Sequence, residues 1–425
     1  VPALWAVSEL RPGPRPAYEH TILAAVDRTE AALGPRLDRA IAEGRRGSPG
    51  AGWSVATKRL ATARLEVVDA AETGGPSPVM GPWFGSVGSA AEPGPRLWVT
   101  HLESVATCPW RAFVGRRLGV RPLPDPHLGL PDLDQRLLGT VVHEVLESIV
   151  TGGVTGGKTG YAEALEREPV MVPWPTEEEL ESLLVAAAAR VVFDEGLSGF
   201  GLARLLAAQA RPVLAVARMV EWGPSGRLVS VLAAEVEGEI RSGASGRTIA
   251  FRADRLDDGG IATDYKTGKP RSTAKRPSTR EAHLLTAVST GRVLQAVAYA
   301  LAAPAGAGTG RYLYLRPDIG DAPPESRLVE VSGRDPEVIA AFDSAVKAID
   351  GSLTAGSAFP RVEEANRKNS EHCGFCEVSE ACRRDDSRFT QTLVELMEAE
   401  DGPADEVLTA ARGLWWLGVE RKADG

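Results

Sequence analysis

Two short runs joined by Asp258-Gly259-Gly260 limit the fold more than any other stretch of the chain. From 247 to 257 and from 260 to 267, residue character alternates with a period of two, the pattern of paired strands. A three-residue connection with glycine available for positive φ predicts an antiparallel hairpin in which Asp257 pairs with Ile261. That register sets Asp254 opposite Asp264, with Cβ atoms about 4.5–5.5 Å apart, and turns Lys266 to the same face. A two-residue loop would instead send the two aspartates to opposite faces. Carboxylates that close repel unless a cation lies between them. The set suits metal-assisted phosphodiester hydrolysis. Hard oxygens hold Mg²⁺ or Mn²⁺, which lowers the pKa of a bound water and polarises the phosphate, while the lysine orients the nucleophile or offsets developing charge. The alternative is an edge strand whose Asp–Lys pairs keep it soluble.

The surrounding pattern places this hairpin in an α/β or α+β core. Leu138, Val141, Val142, Val145, Leu146 and Ile149 recur at helical spacing, predicting a helix over 137–150 that carries His143 and, one turn on, Glu147. Further helices are expected at 177–193, 202–220, 293–301, 335–349, 386–398 and 404–417, and further strands at 229–240 and 311–315. Gln295 and Tyr299 stand four apart on one helix face, which also fits a helix packed on a sheet with two polar tips. Thr100 to Ser104 reads as a capping region for a helix holding Cys108, Trp110 and Phe113. Residues 1–95 read as a mainly helical lead-in, 96–390 as the principal domain and 391–425 as a helical tail.

Taken in order, these segments resemble a known family. Gly139-x3-His143-x2-Leu146-Glu147, then Asp254-Arg255-Leu256-Asp257, Asp264-Tyr265-Lys266 and Gln295-x3-Tyr299 resemble the core of the PD-(D/E)XK nucleases, and more narrowly their RecB/AddB branch. The resemblance implies a restriction-endonuclease-like fold, a central mixed sheet flanked by helices, with helical additions. It implies a Mg²⁺- or Mn²⁺-dependent deoxyribonuclease acting as a DNA exonuclease. His143, Asp254, Asp264 and the Tyr265 carbonyl would be metal ligands, and Lys266 the catalytic lysine. Gln295 and Tyr299 would face the DNA strand near the active site. Glu235 matches the acidic residue that the family carries upstream, with Glu237 competing for the place.

Four cysteines in 425 residues are too few for a disulfide scaffold and fit a reducing, cytoplasmic compartment. Cys108 stands alone, and Cys373-x2-Cys376-x5-Cys382 lies far downstream, so all four are candidates for one site. By ligand type Cys₄ suits Zn²⁺ or an iron–sulfur cluster equally. Cys108-Pro109-Trp110 and the closing triad resemble those of iron-staple nucleases, and the one-plus-three split, unlike two close C-x2-C pairs, favours [4Fe–4S]. The resemblance further implies the nuclease part of an AddB-type helicase–nuclease, joined through 1–95 to a helicase-like body. It would work with an AddA-type helicase in processing DNA ends for double-strand break repair. A stand-alone iron–sulfur exonuclease of the CRISPR-adaptation type is the nearest alternative, and a catalytically silent DNA-binding scaffold is another.

A formal charge of −9 excludes a globally basic nucleic-acid binder but not a local basic channel. Lys266, Lys269, Arg271, Lys275, Arg276 and Arg280 form one acid-free group, and Arg111, Arg116, Arg117 and Arg121 form another beside Cys108. Both are expected to meet DNA phosphates, although solubility alone would also account for them. Gly152-x4-Gly157-Lys158-Thr159 satisfies the P-loop pattern, but an amphipathic helix precedes it where a buried strand is required. It reads as a flexible insertion. No apolar run approaches the ~18–20 residues of a membrane helix.

Overall fold

A computed structural model describes residues 84–88, 94–120, 135–152, 159–197, 201–363, 370–399 and 405–419. All of the expected helical lead-in except 84–88 and 94–95, together with Arg121 and Lys158, lies outside the described residues. The chain divides into two compact units. One comprises Pro93–Thr107, Leu123–Asp350 and Trp416–Gly425; the other comprises Val1–Glu92, Cys108–Pro122 and Gly351–Trp415.

The first unit is built on a mixed sheet, as the sequence predicts for its fold class. Its strands are β1 (Arg96–Trp98), β2 (Thr159–Gly160), β3 (Val170–Val172), β4 (Val229–Arg241), β5 (Thr248–Asp257), β6 (Ile261–Lys266), β7 (Thr309–Tyr314) and β8 (Leu328–Ser332). They run in the order β2-β4-β5-β6-β7-β8, with β1 parallel to β5 and β3 antiparallel to β4. The central hairpin has the predicted register, Asp257↔Ile261 through Arg255↔Thr263. Gly259 and Gly260, at φ 78 and 73, supply the left-handed turn that other residues adopt only with strain. The parallel β6–β7 pair requires a crossover. Helices α7 (Pro277–Ser289) and α8 (Gln295–Ala302) make it.

On the way to β4 the chain forms α1 (Val99–Thr107), α3 (Gln135–Thr151), α4 (Tyr161–Leu165), α5 (Glu177–Asp194) and α6 (Leu202–Ala217); α2 (Pro109–Ala112) belongs to the second unit. The apolar stripes of α3, α5 and α6 close over Val231, Ala234, Tyr265, Leu313 and Leu315 to make the main core. A capping box at Thr176 and Glu179 starts α5, each residue satisfying the other's free backbone donor.

The structure differs from the sequence expectations at two instructive places. Helix α1 begins at Val99 and stops at Thr107, so Cys108 does not lie within it. Pro109 has no N–H and crowds the residue before it, so Cys108 is extended (φ −161, ψ 110) and α2 restarts at Pro109. Helix α7, which is not among the expected helices, buries only Val288 fully, and so leaves almost no apolar period to read.

Helix α9 (Pro336–Thr354) belongs to the first unit as far as Asp350, and α10 (Ser387–Glu398) and α11 (Glu406–Trp415) belong to the second unit. Trp110, Val114, Ala358 and Val378 form its small core, packed by Cys108, Cys376 and Cys382. No helix among the described residues is long and apolar enough to cross a membrane.

Candidate active site

The hairpin brings its carboxylates to different neighbours. Asp254 Oδ1 lies 3.1 Å from His143 Nδ1, while Oδ2 accepts the backbone amide of Tyr265 at 2.6 Å. His143 reaches β5 from α3, whose buried stripe turns the imidazole off the core and edge-on to the Tyr265 ring, 6.2 Å between centroids. Burial opposes charge on His143, but attraction and hydrogen bonding from Asp254 outweigh it and raise its pKa to about 9. Burial pushes Asp254 up as well, yet His143 and the Tyr265 amide hold it below the usual carboxylate range.

Asp264 has the opposite balance. Burial and the neighbouring Asp254 raise it, and the Lys266 charge offsets this only in part. Two adjacent carboxylates are thereby pushed apart in acidity, as happens where paired acids share a site. Asp264 Oδ2 forms an ion pair with Lys266 Nζ at 2.6 Å. Lys266 also donates to Gln295 Oε1 at 2.8 Å and sits over the Tyr312 ring.

Tyr299, expected to face DNA, is fully buried. Its hydroxyl lies 2.8 Å from the Arg252 carbonyl and 3.3 Å from Asp264 Oδ1, so it holds Asp264 from beneath rather than meeting a strand. Gln295 is buried too, and its amide is engaged with Lys266. Tyr265 offers its amide to Asp254, and its ring is buried with the hydroxyl accepting from Arg255 Nη1 at 2.7 Å.

Between the two acids that the sequence left in competition, the β4–β5 register decides. Ala234↔Arg255 and Val236↔Ala253 flank Glu235 and put it against Asp254, whereas Glu237 pairs with Arg252. Glu235 has φ 50, a left-handed conformation that costs a non-glycine residue energy and that concentrates at functional sites. Burial, with repulsion from Asp254 and Glu147, pushes its carboxyl up to about 7 against the pull of Arg252.

The sequence reading did not anticipate the ionic cluster that underlies β6. Arg255 is 1% exposed and Arg311 9%, and both engage Asp257 and Glu221. Arg311 Nε also donates to Thr263 Oγ1 at 2.9 Å. The Arg255 and Asp257 of the Asp-Arg-Leu-Asp segment therefore serve the core, while its Asp254 meets His143 and the Tyr265 backbone amide. Alternation along the strand signalled this division, but nothing in the sequence pointed to Glu221 or Arg311.

Lys269 and Arg271 line a cleft of about 420 Å³ with Lys266, Arg292, Gln295 and Tyr314. Lys275 and Arg276 are exposed further along the loop. Arg280 donates to the carbonyls of Ala274 and Lys275 and so braces the loop. In the other unit, Arg116 and Arg117 are exposed on a π-helical turn, and Arg111 pairs with Glu377 at 2.8 Å.

The four cysteines also gather there. The Cys108 sulfur accepts from Arg361 N at 3.5 Å, Cys373 Sγ lies 3.9 Å from the Arg361 carbonyl, and Cys376 and Cys382 pack with Cys108 against one small core. The Trp110 indole donates to the Ala381 carbonyl at 2.9 Å, joining the segments that carry Cys108 and Cys382. Burial pushes Cys108 and Cys373 up and Cys382 up to about 12. Such thiols stay neutral unless a cation draws off the proton.

Among the described residues no three His, Cys, Asp or Glu side chains are arranged to hold a metal ion. By donor type, the paired Asp254 and Asp264 carboxylates at the hairpin nevertheless suit a hard cation and the four thiols a soft one. The described PD-(D/E)XK nuclease superfamily matches this chain over residues 96–383. No curated protein matches it.

Proposed function

Because the chain belongs to the PD-(D/E)XK nuclease superfamily, we propose that it is a divalent-metal-dependent deoxyribonuclease working on DNA ends. The observation that carries this reading is the convergence of Asp254, Asp264 and Lys266 on one hairpin with His143 alongside. Asp254 and Asp264, helped by His143 and the Tyr265 carbonyl, would hold Mg²⁺ or Mn²⁺. A bound cation would supply an activated water and polarise the scissile phosphate. The chain's own groups do the rest. Lys266, fixed by Gln295, places positive charge where the phosphate gains negative charge. Tyr299, anchored through its hydroxyl to the Arg252 carbonyl, supports Asp264 from below. Lys269, Arg271 and Arg292 line the adjacent cleft and would guide the phosphate backbone by charge, without reading sequence.

In this reading Cys108, Cys373, Cys376 and Cys382 would hold a [4Fe–4S] cluster whose part is structural. The order of the segments and the Cys108-Pro109-Trp110 entry support an AddB-type role in double-strand break processing beside an AddA-type helicase. The test is cleavage of end-labelled linear DNA by the full chain. Mg²⁺ or Mn²⁺ should give degradation from ends, EDTA should stop it, and Lys266→Met or Asp264→Asn should lower it by at least about 100-fold while DNA binding persists. Undiminished cleavage by Lys266→Met would remove the reading.

A further inference from the structure

Helix α8 carries Gln295, the partner of Lys266, yet its own sequence supplies no cap. The residues entering it are Arg292, Val293 and Leu294, and Leu294 makes no side-chain capping bond. A buried helix start leaves backbone N–H groups that must find acceptors elsewhere. They find them in other elements. Glu103 Oε1, from α1, accepts from Leu294 N at 2.6 Å and from Gln295 N at 3.1 Å. The Tyr312 hydroxyl accepts from Ala296 N at 3.0 Å.

We infer that Glu103 is a positioning residue for Lys266, acting through the first turn of α8. The chain of contacts is short: Glu103 to the Gln295 amide, the Gln295 side chain to Lys266 Nζ at 2.8 Å, and Lys266 to Asp264. Glu103 also borders the cleft that Lys266 and Gln295 line. A second feature holds α1 in place for this task. Gly291, at φ 71, lies so close to α1 that a Cβ there would be 2.7 Å from the Ala106 Cβ. The turn preceding α8 and the helix carrying Glu103 are thus in direct contact, and a side chain at 291 would force them apart.

The inference rests on the proposed nuclease reading for its kinetic consequence, but the cap has its own physical signature. Glutamine at 103 keeps an oxygen able to accept both amides and removes the charge, whereas alanine removes the acceptor. Hydrogen–deuterium exchange on the full chain should show faster exchange over Leu294–Ala302 in Glu103→Ala and near wild-type exchange in Glu103→Gln. With Mg²⁺ and linear DNA, Glu103→Ala should lose about 10- to 100-fold in kcat with little change in KM, because displaced catalytic groups cost rate rather than ground-state binding. Glu103→Gln should stay within about threefold of wild type.

Equal losses in the two variants would overturn the inference, as would wild-type exchange across α8 in Glu103→Ala. If the wild-type chain cuts no DNA with either metal, the nuclease reading fails and the exchange experiment alone judges the cap. A Glu103→Ala chain that does not fold, beside a folded and active Glu103→Gln, would still require an acceptor at this position. Wild-type kcat in a folded Glu103→Ala would exclude any influence on Lys266.

Discussion

The carboxylate of Asp254 accepts the backbone amide proton of Tyr265 at 2.6 Å. The β5–β6 ladder extends from Asp257↔Ile261 to Arg255↔Thr263, and at the next step this side chain joins the strands. One residue therefore both presents a charge and ties together the strands that carry the site. The two roles separate by substitution. Asp254→Asn retains an acceptor for the Tyr265 amide and should melt near wild type above about pH 9, where His143 is neutral, while losing cleavage by at least about 100-fold. Asp254→Ala leaves the amide without its partner and should lose a further ~1–3 kcal/mol of stability. Thermal melts of the two variants, compared with end-labelled cleavage, check this. Equal melting of both would deny the tie.

Protein kept free of divalent cations should show the His143–Asp254 pair in its pH dependence. The folded pKa of His143, about 9, lies above its ordinary value of 6.5. Folding thus favours the protonated form, and the pair's contribution is fully present below about pH 6.5 and lost as pH rises through about 9. In EDTA, the melting temperature of wild type should exceed that of His143→Gln at pH 6 and converge with it by pH 9.5–10. A difference independent of pH would mean that His143 stabilises by packing alone.

The hairpin was legible because alternation and a glycine turn are local, and register follows from loop length. Local signals also gave the extents of α3 and α5 closely. The site's supporting layer was not legible, for a physical reason: its partners meet only through topology. Glu103 meets Leu294 across 191 residues, and Glu221 meets Arg311 across 90. Tyr299 looked like an outward polar tip because a tyrosine at i+4 from Gln295 reads the same whether its hydroxyl meets solvent or a buried aspartate. Apolar spacing carries a helix through Cys108, but Pro109 disfavours helical backbone at the residue before it. There the sequence held the answer, and the steric rule outweighed the apolar spacing.

Arg255 carries a prediction about the layer beneath the site. It is nearly inaccessible, contacts Glu221 and Asp257, donates to the Tyr265 hydroxyl and lies over the Trp222 ring at 5.9 Å. Removing it leaves two buried carboxylates with Arg311 as their remaining arginine in this cluster, and breaking such a network costs about 3–5 kcal/mol. Arg255→Ala should melt well below wild type. Arg255→Lys should recover little, because an ammonium cannot present the planar fork that reaches Glu221, Asp257 and Tyr265 together. Chemical denaturation with an unchanged m-value and a lowered midpoint is the expected record; an unchanged midpoint in Arg255→Ala would exclude a structural role.

The cysteine cluster gives the last test. Burial raises Cys108 and Cys373, and Cys382 to about 12, so in the absence of a cation these three thiols remain neutral and weakly bonded. A thiolate-loving metal changes that balance, and its binding energy becomes folding energy for the segments it joins. Anaerobically purified chain should then contain iron and acid-labile sulfide in equal amounts, with a broad visible charge-transfer absorption. Cys108→Ala or Cys382→Ala should abolish the absorption and lower the melting temperature. Trp110→Phe gives a finer reading, since it keeps every sulfur and removes the indole bond to the Ala381 carbonyl that helps bring Cys382 toward Cys108. That variant should bind iron but lose it faster to a chelator. Zinc in place of iron, with sulfide absent, would keep the four-cysteine site and reject the cluster. Full stability in Cys108→Ala, with neither metal found, would show the thiols to be core residues that happen to lie together.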